Sequence, residues 1–384
     1  MALELTPLEA LPPSVERAVG PKAPAPMKMM AARGMAPLPP ADMATALYQL
    51  SFSDEEAIKS TAFKSAAELP ERILGAALEQ PLDARVLDFY GRRVFQKLPL
   101  LEKVLLNKAT ADETFRHLAT LVDDSGLEMI AKNEERLLRH PPIIAALYMN
   151  PKTRMSTAQR ALELAVRNHV RVEGIPAFDE AAKAIQQSGA PTAEQAAADD
   201  AAFARAAEIA TDQAAGLSLM AVDENEAAAQ AEAEAQAAEA AVESSDVAEE
   251  EKKQKISDLS PAGKIRLATL GNAFARAVLI RDTNHQVAMA AIRSPAVTDM
   301  EALRYASNRG LDDEIIRYIA NNRSWVRLNG VKVALCNNPK CPLPVAMRFL
   351  PHLNVRDLKA LSRSKGIPSA LCTAAKQMLA QRNA

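Results

Sequence analysis

The chain is poor in glycine, aromatic residues and cysteine. Its 384 residues include 13 glycines, and aromatic residues make up 4% of the total. An all-β fold with many tight turns uses more glycine, so that architecture is disfavoured. The three cysteines are an odd number and too few for a disulfide framework, which favours a reducing, cytoplasmic setting.

Long apolar runs are also missing. No stretch approaches the roughly 18 consecutive apolar residues that span a bilayer, so no membrane span is expected. Residues 1–20 contain acidic residues and no unbroken apolar core, so a secretory signal is not expected either. Much of the 48% apolar fraction is alanine, the best helix former. These features predict an all-α protein.

Composition divides the chain into four segments. Residues 1–43 contain eight prolines between positions 11 and 41, which predicts a disordered Pro/Met-rich head, either a linker or a docking motif that orders on a partner. Residues 44–186 and 256–384 have the pattern of helices of about ten to fifteen residues with short breaks. Residues 187–255 are predicted to be a flexible acidic Ala/Glu-rich linker, in which Phe203 and its apolar neighbours favour one short helix.

An internal duplication relates the two helical modules. Within each module, a weaker similarity at a shift of 43 residues has the size of stacked helical repeats. Between the modules, three anchors recur at an offset of 188 or 189 positions: Ala146-Leu147-x-x-Asn150-Pro151-Lys152 as Ala334-Leu335-x-x-Asn338-Pro339-Lys340, Thr110-Ala111-Asp112-Glu113 as Thr298-Asp299-Met300-Glu301, and Ile130-Ala131-x-Asn133 as Ile319-Ala320-x-Asn322. The copied module spans roughly residues 99–185 and 287–379.

The retained residues have roles at helix ends. Three pairs are predicted capping boxes: Thr110 with Glu113, Thr298 with Glu301, and Ser156 with Gln159. Asn150-Pro151 and Asn338-Pro339 are predicted to stop helices, with asparagine in the left-handed conformation and proline unable to continue the helix. The duplication preserves no set of nucleophile, base and orienting group, so the chain is predicted not to be an enzyme.

The Asn-Pro turns also suggest a family. At Asn150-Pro151-Lys152-Thr153 and Asn338-Pro339-Lys340-Cys341 the chain resembles bacterial HEAT-like repeats and leucine-rich-repeat variants. The resemblance covers most of residues 256–384 and, more weakly, residues 70–186. It implies two α-solenoid-like modules that present a curved surface to a partner. It implies no particular activity, because a fold does not fix a function.

Reactive residues form no recognisable motif. Cys336, Cys341, His352 and Cys372 do not have zinc-finger or zinc-ribbon spacing, and the first copy has Tyr148 and Thr153 at the first two positions. Structural cysteines are therefore expected. No phosphate-binding loop, Gly-x-Ser-x-Gly or His-Glu-x-x-His motif is present. We predict no catalytic residue, no metal site and no cofactor.

Charge separates the segments strongly. Residues 187–252 hold sixteen acidic residues against two basic ones, a net charge of −14, whereas residues 256–384 have a net charge of +11. The first copy of the module is balanced and the second has a net charge of +8. Both copies need the same scaffold, so the excess positive charge is expected at the surface of the second.

Six residues of the second module are predicted to bind a partner: Arg304, Arg317, Arg323, Trp325, Arg327 and Lys332. Arginine beside an aromatic ring can hold a carboxylate, a phosphate or a base face. The alternative is that Trp325 fills a junction between helices and that the arginines are simply solvated.

Two functions fit these patterns. The first is a scaffold or adaptor that binds protein partners, with the acidic linker shielding the basic module until an acidic partner competes. The second is nucleic-acid binding by residues 256–384 through phosphate contacts. The neutral first module and the lack of a sequence-reading motif count against the second.

Overall fold

The computed structural model describes residues 3–188, 192–211, 236–242 and 247–383. Within these residues helix is the only regular structure and no strand occurs, which confirms the predicted all-α class. Backbone contacts divide the chain into an amino-terminal unit, residues 1–174, and a carboxy-terminal unit, residues 175–384. Each unit is described by itself below.

The described helices of the amino-terminal unit are α1 Pro13–Val19, α2 Ala25–Ala32, α3 Pro40–Leu50, α4 Glu56–Glu68, α5 Glu71–Leu78, α6 Ala84–Val94, α7 Leu98–Leu106, α8 Asp112–Leu121, α9 Asp124–Ala131, α10 Glu134–Arg139, α11 Pro142–Met149 and α12 Met155–Arg167. Those of the carboxy-terminal unit are α13 Phe178–Ser188, α14 Ala193–Thr211, α15 at residues 236–242, α16 Val247–Ser257, α17 Pro261–Leu270, α18 Ala273–Leu279, α19 His285–Arg293, α20 Asp299–Ser307, α21 Asp313–Asn321, α22 Asn329–Asn337, α23 Leu343–Phe349, α24 Val355–Leu361 and α25 Ser369–Asn383, with 3-10 turns at Trp325–Arg327 and Leu350–His352.

Most of these helices are too short to be stable alone in water, so packing of their apolar faces must hold them. Local signals set where they begin. The side chains of Asp83, Asp123 and Asn272 each accept a hydrogen bond from a backbone N–H of the first turn. Pro344 lies in the first turn of α23, where its missing N–H costs no helical hydrogen bond.

The duplication is visible in the packing of both units. Helices mainly contact neighbours one, two or three elements away along the chain. Seven pairings of the amino-terminal unit recur in the carboxy-terminal unit: α5–α7 as α17–α19, α6–α7 as α18–α19, α7–α9 as α19–α21, α8–α9 as α20–α21, α8–α11 as α20–α22, α9–α11 as α21–α22, and α11–α12 as α22–α23. The structural repeat therefore begins upstream of the copied sequence, at α5 and α17.

The structure differs from the predicted disordered head over residues 1–43. It contains α1 and α2, which pack on α3 and α4 and bury Val15, Ala31 and Ala32. The Tyr48 hydroxyl donates to the Thr6 carbonyl at 2.6 Å. The prolines do not prevent this, because six of the eight lie at helix starts, where no backbone donor is needed, and the other two, Pro21 and Pro37, lie between helices.

The described parts of the predicted flexible linker, residues 187–255, are largely helical. Of this segment, residues 189–191, 212–235 and 243–246 lie outside the described residues. The expected short helix is present as α14, which packs on α16 and α17. It buries Phe203, whose ring lies 4.6 Å from the guanidinium carbon of the buried Arg266. An apolar stripe on α14 therefore fixes part of the segment to the carboxy-terminal unit.

The first predicted module also ends earlier than expected. Residues 175–186 belong to the carboxy-terminal unit, because α13 packs on α17 and α19 of that unit. The buried Glu180 accepts from Arg293 Nη1 at 2.6 Å. The ion pair with Arg293 and the buried Ala181 and Ile185 together hold α13 on this unit.

The retained asparagines work differently from the prediction. Asn150 and Asn338 follow helices with extended backbone, not in the left-handed conformation. Asn338 Nδ2 donates to the carbonyls of Ala306 and Asn308 at 2.9 and 3.0 Å, and its Oδ1 accepts from Lys340 N at 3.0 Å. Asn150 makes the corresponding bond to the Ala119 carbonyl at 2.8 Å. These side chains tie the ends of two packed helices together.

Only one of the predicted capping boxes forms. Thr298 and Glu301 cap α20 reciprocally. The prediction for Thr110 is wrong, because its hydroxyl donates to the Val104 carbonyl at 2.6 Å and closes the preceding helix. The prediction for Ser156 is wrong as well, because this residue lies inside α12.

Candidate binding surface

The arginines that flank Trp325 are exposed, but the tryptophan is not. Trp325 is 7% exposed and begins a 3-10 turn. Its ring packs edge-on against Tyr318, with centroids 6.1 Å apart. Arg323 and Arg327 lie two residues before and two residues after it and are exposed. Trp325 therefore fills a junction between helices, and its face is not free to stack on a ligand.

The other predicted residues are spread over three helices. Arg317 is exposed on α21, whereas Arg304 on α20 and Lys332 on α22 are half-buried. Tyr305, the aromatic residue next to Arg304, is buried, and burial raises its pKa well above the usual range. The structure thus places Arg317, Arg323 and Arg327 as the exposed cations of the predicted set.

This surface also has an apolar part that the sequence did not predict. Asn329 Nδ2 donates to Asp357 Oδ2 at 3.2 Å, which brings the first turns of α22 and α24 together. Next to these residues, Leu328 and Val355 are exposed. We call the exposed Arg323, Arg327, Leu328, Val355 and Arg356 the basic edge. Isolated apolar residues at helix starts give no periodic signal, so the pattern could not reveal them.

A polar groove of about 840 Å³ lies beside Arg317 in the same unit. His285 Nε2 is 2.9 Å from Glu314 Oε2, and His285 Nδ1 is 3.4 Å from Asp312 Oδ2. The hydrogen bond that Glu314 N donates to the Asp312 carboxylate lowers the pKa of Asp312, and the hydrogen bond from His285 lowers it further. Among the described residues no group of three or more His, Cys, Asp or Glu side chains could hold a metal ion.

Residues 187–255, which we call the acidic segment, reach the rim of this groove. The Glu239 carboxylate on α15 forms an ion pair with Arg281, which lines the groove together with Arg317. On the same segment, the Ile209 carbonyl accepts from Asn272 Nδ2 at 3.3 Å. The described part of the acidic segment therefore contacts the basic module and covers one of its arginines.

The cysteines fit a structural role. Cys336 and Cys341 are buried, and burial raises the pKa of Cys336 to about 12 and that of Cys341 to about 11. A thiol with so high a pKa is a poor nucleophile at neutral pH. The Cys336 thiol lies 3.6 Å from the Ala346 carbonyl and packs between α22 and α23.

No family model, curated protein or solved structure matches the chain. None of the described helices combines the length and the apolar character needed to cross a bilayer.

Proposed function

We propose that the chain is a non-enzymatic helical-repeat scaffold whose carboxy-terminal unit binds an acidic region of a protein partner. The contact between Glu239 and Arg281 carries the proposal. In this contact a carboxylate of the chain itself forms an ion pair with an arginine at the rim of a groove. The resemblance to HEAT-like repeats supports the same role, because such folds present an extended surface to partners.

The acidic segment then acts as an internal competitor. It is tethered to the unit that it contacts, so its effective concentration is high and each contact needs little affinity of its own. A partner that carries a denser acidic region displaces Glu239 and gains Arg281. The exposed Arg317, Arg323 and Arg327 are available to that partner without displacement.

The test is the affinity of the full chain for a labelled polyglutamate peptide, measured by fluorescence anisotropy. Glu239→Gln removes the competing charge while keeping the shape of the side chain. We expect this variant to bind about two- to fivefold more tightly at low salt, since a partly exposed ion pair contributes about 0.4–1 kcal/mol. The gain should shrink as salt screens the charges.

Glu250→Gln is the matched control, because Glu250 lies in the same segment and pairs within its own helix with Lys253. It should bind like the wild type. Equal affinities for the wild type and Glu239→Gln would show that Glu239 does not shield the unit. Binding of a short DNA duplex below about micromolar, with no binding of polyglutamate, would favour the nucleic-acid alternative instead.

A further inference from the structure

A groove of about 530 Å³ in the amino-terminal unit has properties opposite to those of the basic edge. Its walls come from the end of α7, from α8 and α9, and from the start of α10. Leu105 and Phe115 are buried and form an apolar floor. Leu106 stands beside this floor and is 73% exposed, an unusually large fraction for a leucine at a helix end.

The rim of the groove is acidic. Three exposed glutamates, Glu102, Glu134 and Glu135, face a single lysine, Lys132. Among the described residues these glutamates form no salt bridge. Of the nearby arginines, Arg136 and Arg139 make their direct ion pairs with Asp112, and Arg139 also interacts electrostatically with Glu135. The groove therefore combines apolar surface with a net negative rim, three glutamates against one lysine.

The second copy of the module shows that the scaffold does not require this groove. By the offsets of the sequence anchors, Leu106 corresponds to the buried Ser294 and Glu134 to Arg323. Met129 corresponds to Tyr318, which the Trp325 ring and the Arg293 guanidinium cover in the second copy. The same helices pack in both copies, so the open acidic groove is a surface property of the first copy alone.

We infer that this groove docks a basic amphipathic segment of a protein partner. An apolar side chain of that segment would lie against Leu105, Leu106 and Phe115, and lysines or arginines on its flanks would meet the three glutamates. Charge complementarity selects this occupant, because an acidic or purely apolar segment would leave the rim carboxylates unpaired. The site lies in the other unit, so it does not depend on the function proposed above.

The probes are a labelled helical peptide of leucine and lysine and a second peptide in which serine replaces every leucine. We expect the full chain to bind the leucine peptide at least about tenfold more tightly than the serine peptide. Leu106→Gln should remove about tenfold of the affinity for the leucine peptide. Met35→Gln is the matched control, since Met35 lies in the same unit, is 71% exposed and lies outside the groove.

Glu134→Gln combined with Glu135→Gln tests the charge of the rim without touching the apolar floor. At low salt it should weaken binding of the leucine peptide about three- to fivefold. Glu55→Gln combined with Glu56→Gln is its control, because these residues also lie at a helix start, and it should leave binding unchanged.

Three results would overturn the inference. One is equal binding of the two peptides by the wild type. Another is unchanged affinity in both Leu106→Gln and the Glu134/Glu135 variant. The third is a sedimentation experiment in which the wild type self-associates and Leu106→Gln is monomeric, because the occupant would then be a second copy of this chain.

Discussion

Replacing Glu301 with alanine is expected to destabilise the carboxy-terminal unit by about 3–5 kcal/mol. Glu301 and Arg276 are 3% and 5% exposed. Their two hydrogen bonds measure 2.9 and 3.0 Å. Glu301 also accepts from Thr298 N at 2.9 Å and from the Tyr305 hydroxyl at 3.3 Å. The substitution leaves a buried guanidinium without its carboxylate and removes the Glu301 half of the capping box of α20, the bond from Thr298 N.

Urea unfolding followed by tryptophan fluorescence measures this effect, since the only tryptophan of the chain, Trp325, lies in the same unit. Glu314→Ala is the control, because Glu314 lies in the first turn of the next helix but is exposed. Its carboxylate pairs with the half-exposed His285. We expect the control to lose less than about 1 kcal/mol. Similar losses in both variants would mean that the buried pair does not stabilise the unit.

Replacing Asn338 with alanine is expected to cost about 2–4 kcal/mol. The substitution removes both bonds from Nδ2 to the carbonyls of Ala306 and Asn308, and it removes the acceptor of Lys340 N. Asn338 is buried, so water cannot easily replace these partners. The end of α22 should then separate from the end of α20.

The neighbouring Asn337 provides the control for this prediction. Its side chain makes one bond within its own helix, from Nδ2 to the Val333 carbonyl at 3.0 Å. Asn337→Ala should therefore change the free energy of unfolding by less than about 1 kcal/mol, since alanine also favours helix. Equal urea midpoints for the two variants would show that the hydrogen bonds of Asn338 between α20 and α22 do not stabilise the unit.

Helix content and the duplication could be predicted because both depend on local patterns. Alanine-rich amphipathic segments favour helix wherever they occur. The anchors around Asn150 and Asn338 recur because both asparagine side chains donate to a carbonyl of a neighbouring helix. The conformation of the asparagines could not be predicted in the same way. Asparagine suits a left-handed turn and a bridging side chain equally, and the choice depends on a carbonyl that lies about 30 residues earlier.

The head and the acidic segment show a second limit of sequence patterns. Dense proline predicted an extended head, yet six of the eight prolines lie at helix starts, and α1 and α2 pack on other helices. Many acidic residues predicted a free linker, yet Phe203 attaches α14 to α17. In both segments a few buried apolar residues outweigh the average composition. A sum over composition does not show which side chains find a partner.

The candidate surfaces were only partly predictable for a related reason. Positive charge in the second copy correctly indicated that Arg317, Arg323 and Arg327 are exposed. The interleaved aromatic residues suggested a stacking surface, but Trp325 and Tyr305 are buried. Leu106 gave no signal, because a single leucine at a helix end is apolar in the core and at the surface alike. Only packing reveals that it is exposed.

The proposed function depends most directly on whether the basic edge binds an acidic partner. The measurement is the affinity of the full chain for polyglutamate at low salt, with Arg323→Glu and Arg327→Glu combined. The exposed Lys108 and Lys152 of the amino-terminal unit provide a control with the same change in charge when both are replaced by glutamate. We expect the arginine variant to lose about tenfold or more of its affinity for polyglutamate and the lysine variant to change little. Equal affinity in the wild type and both variants would show that the basic edge does not bind an acidic partner.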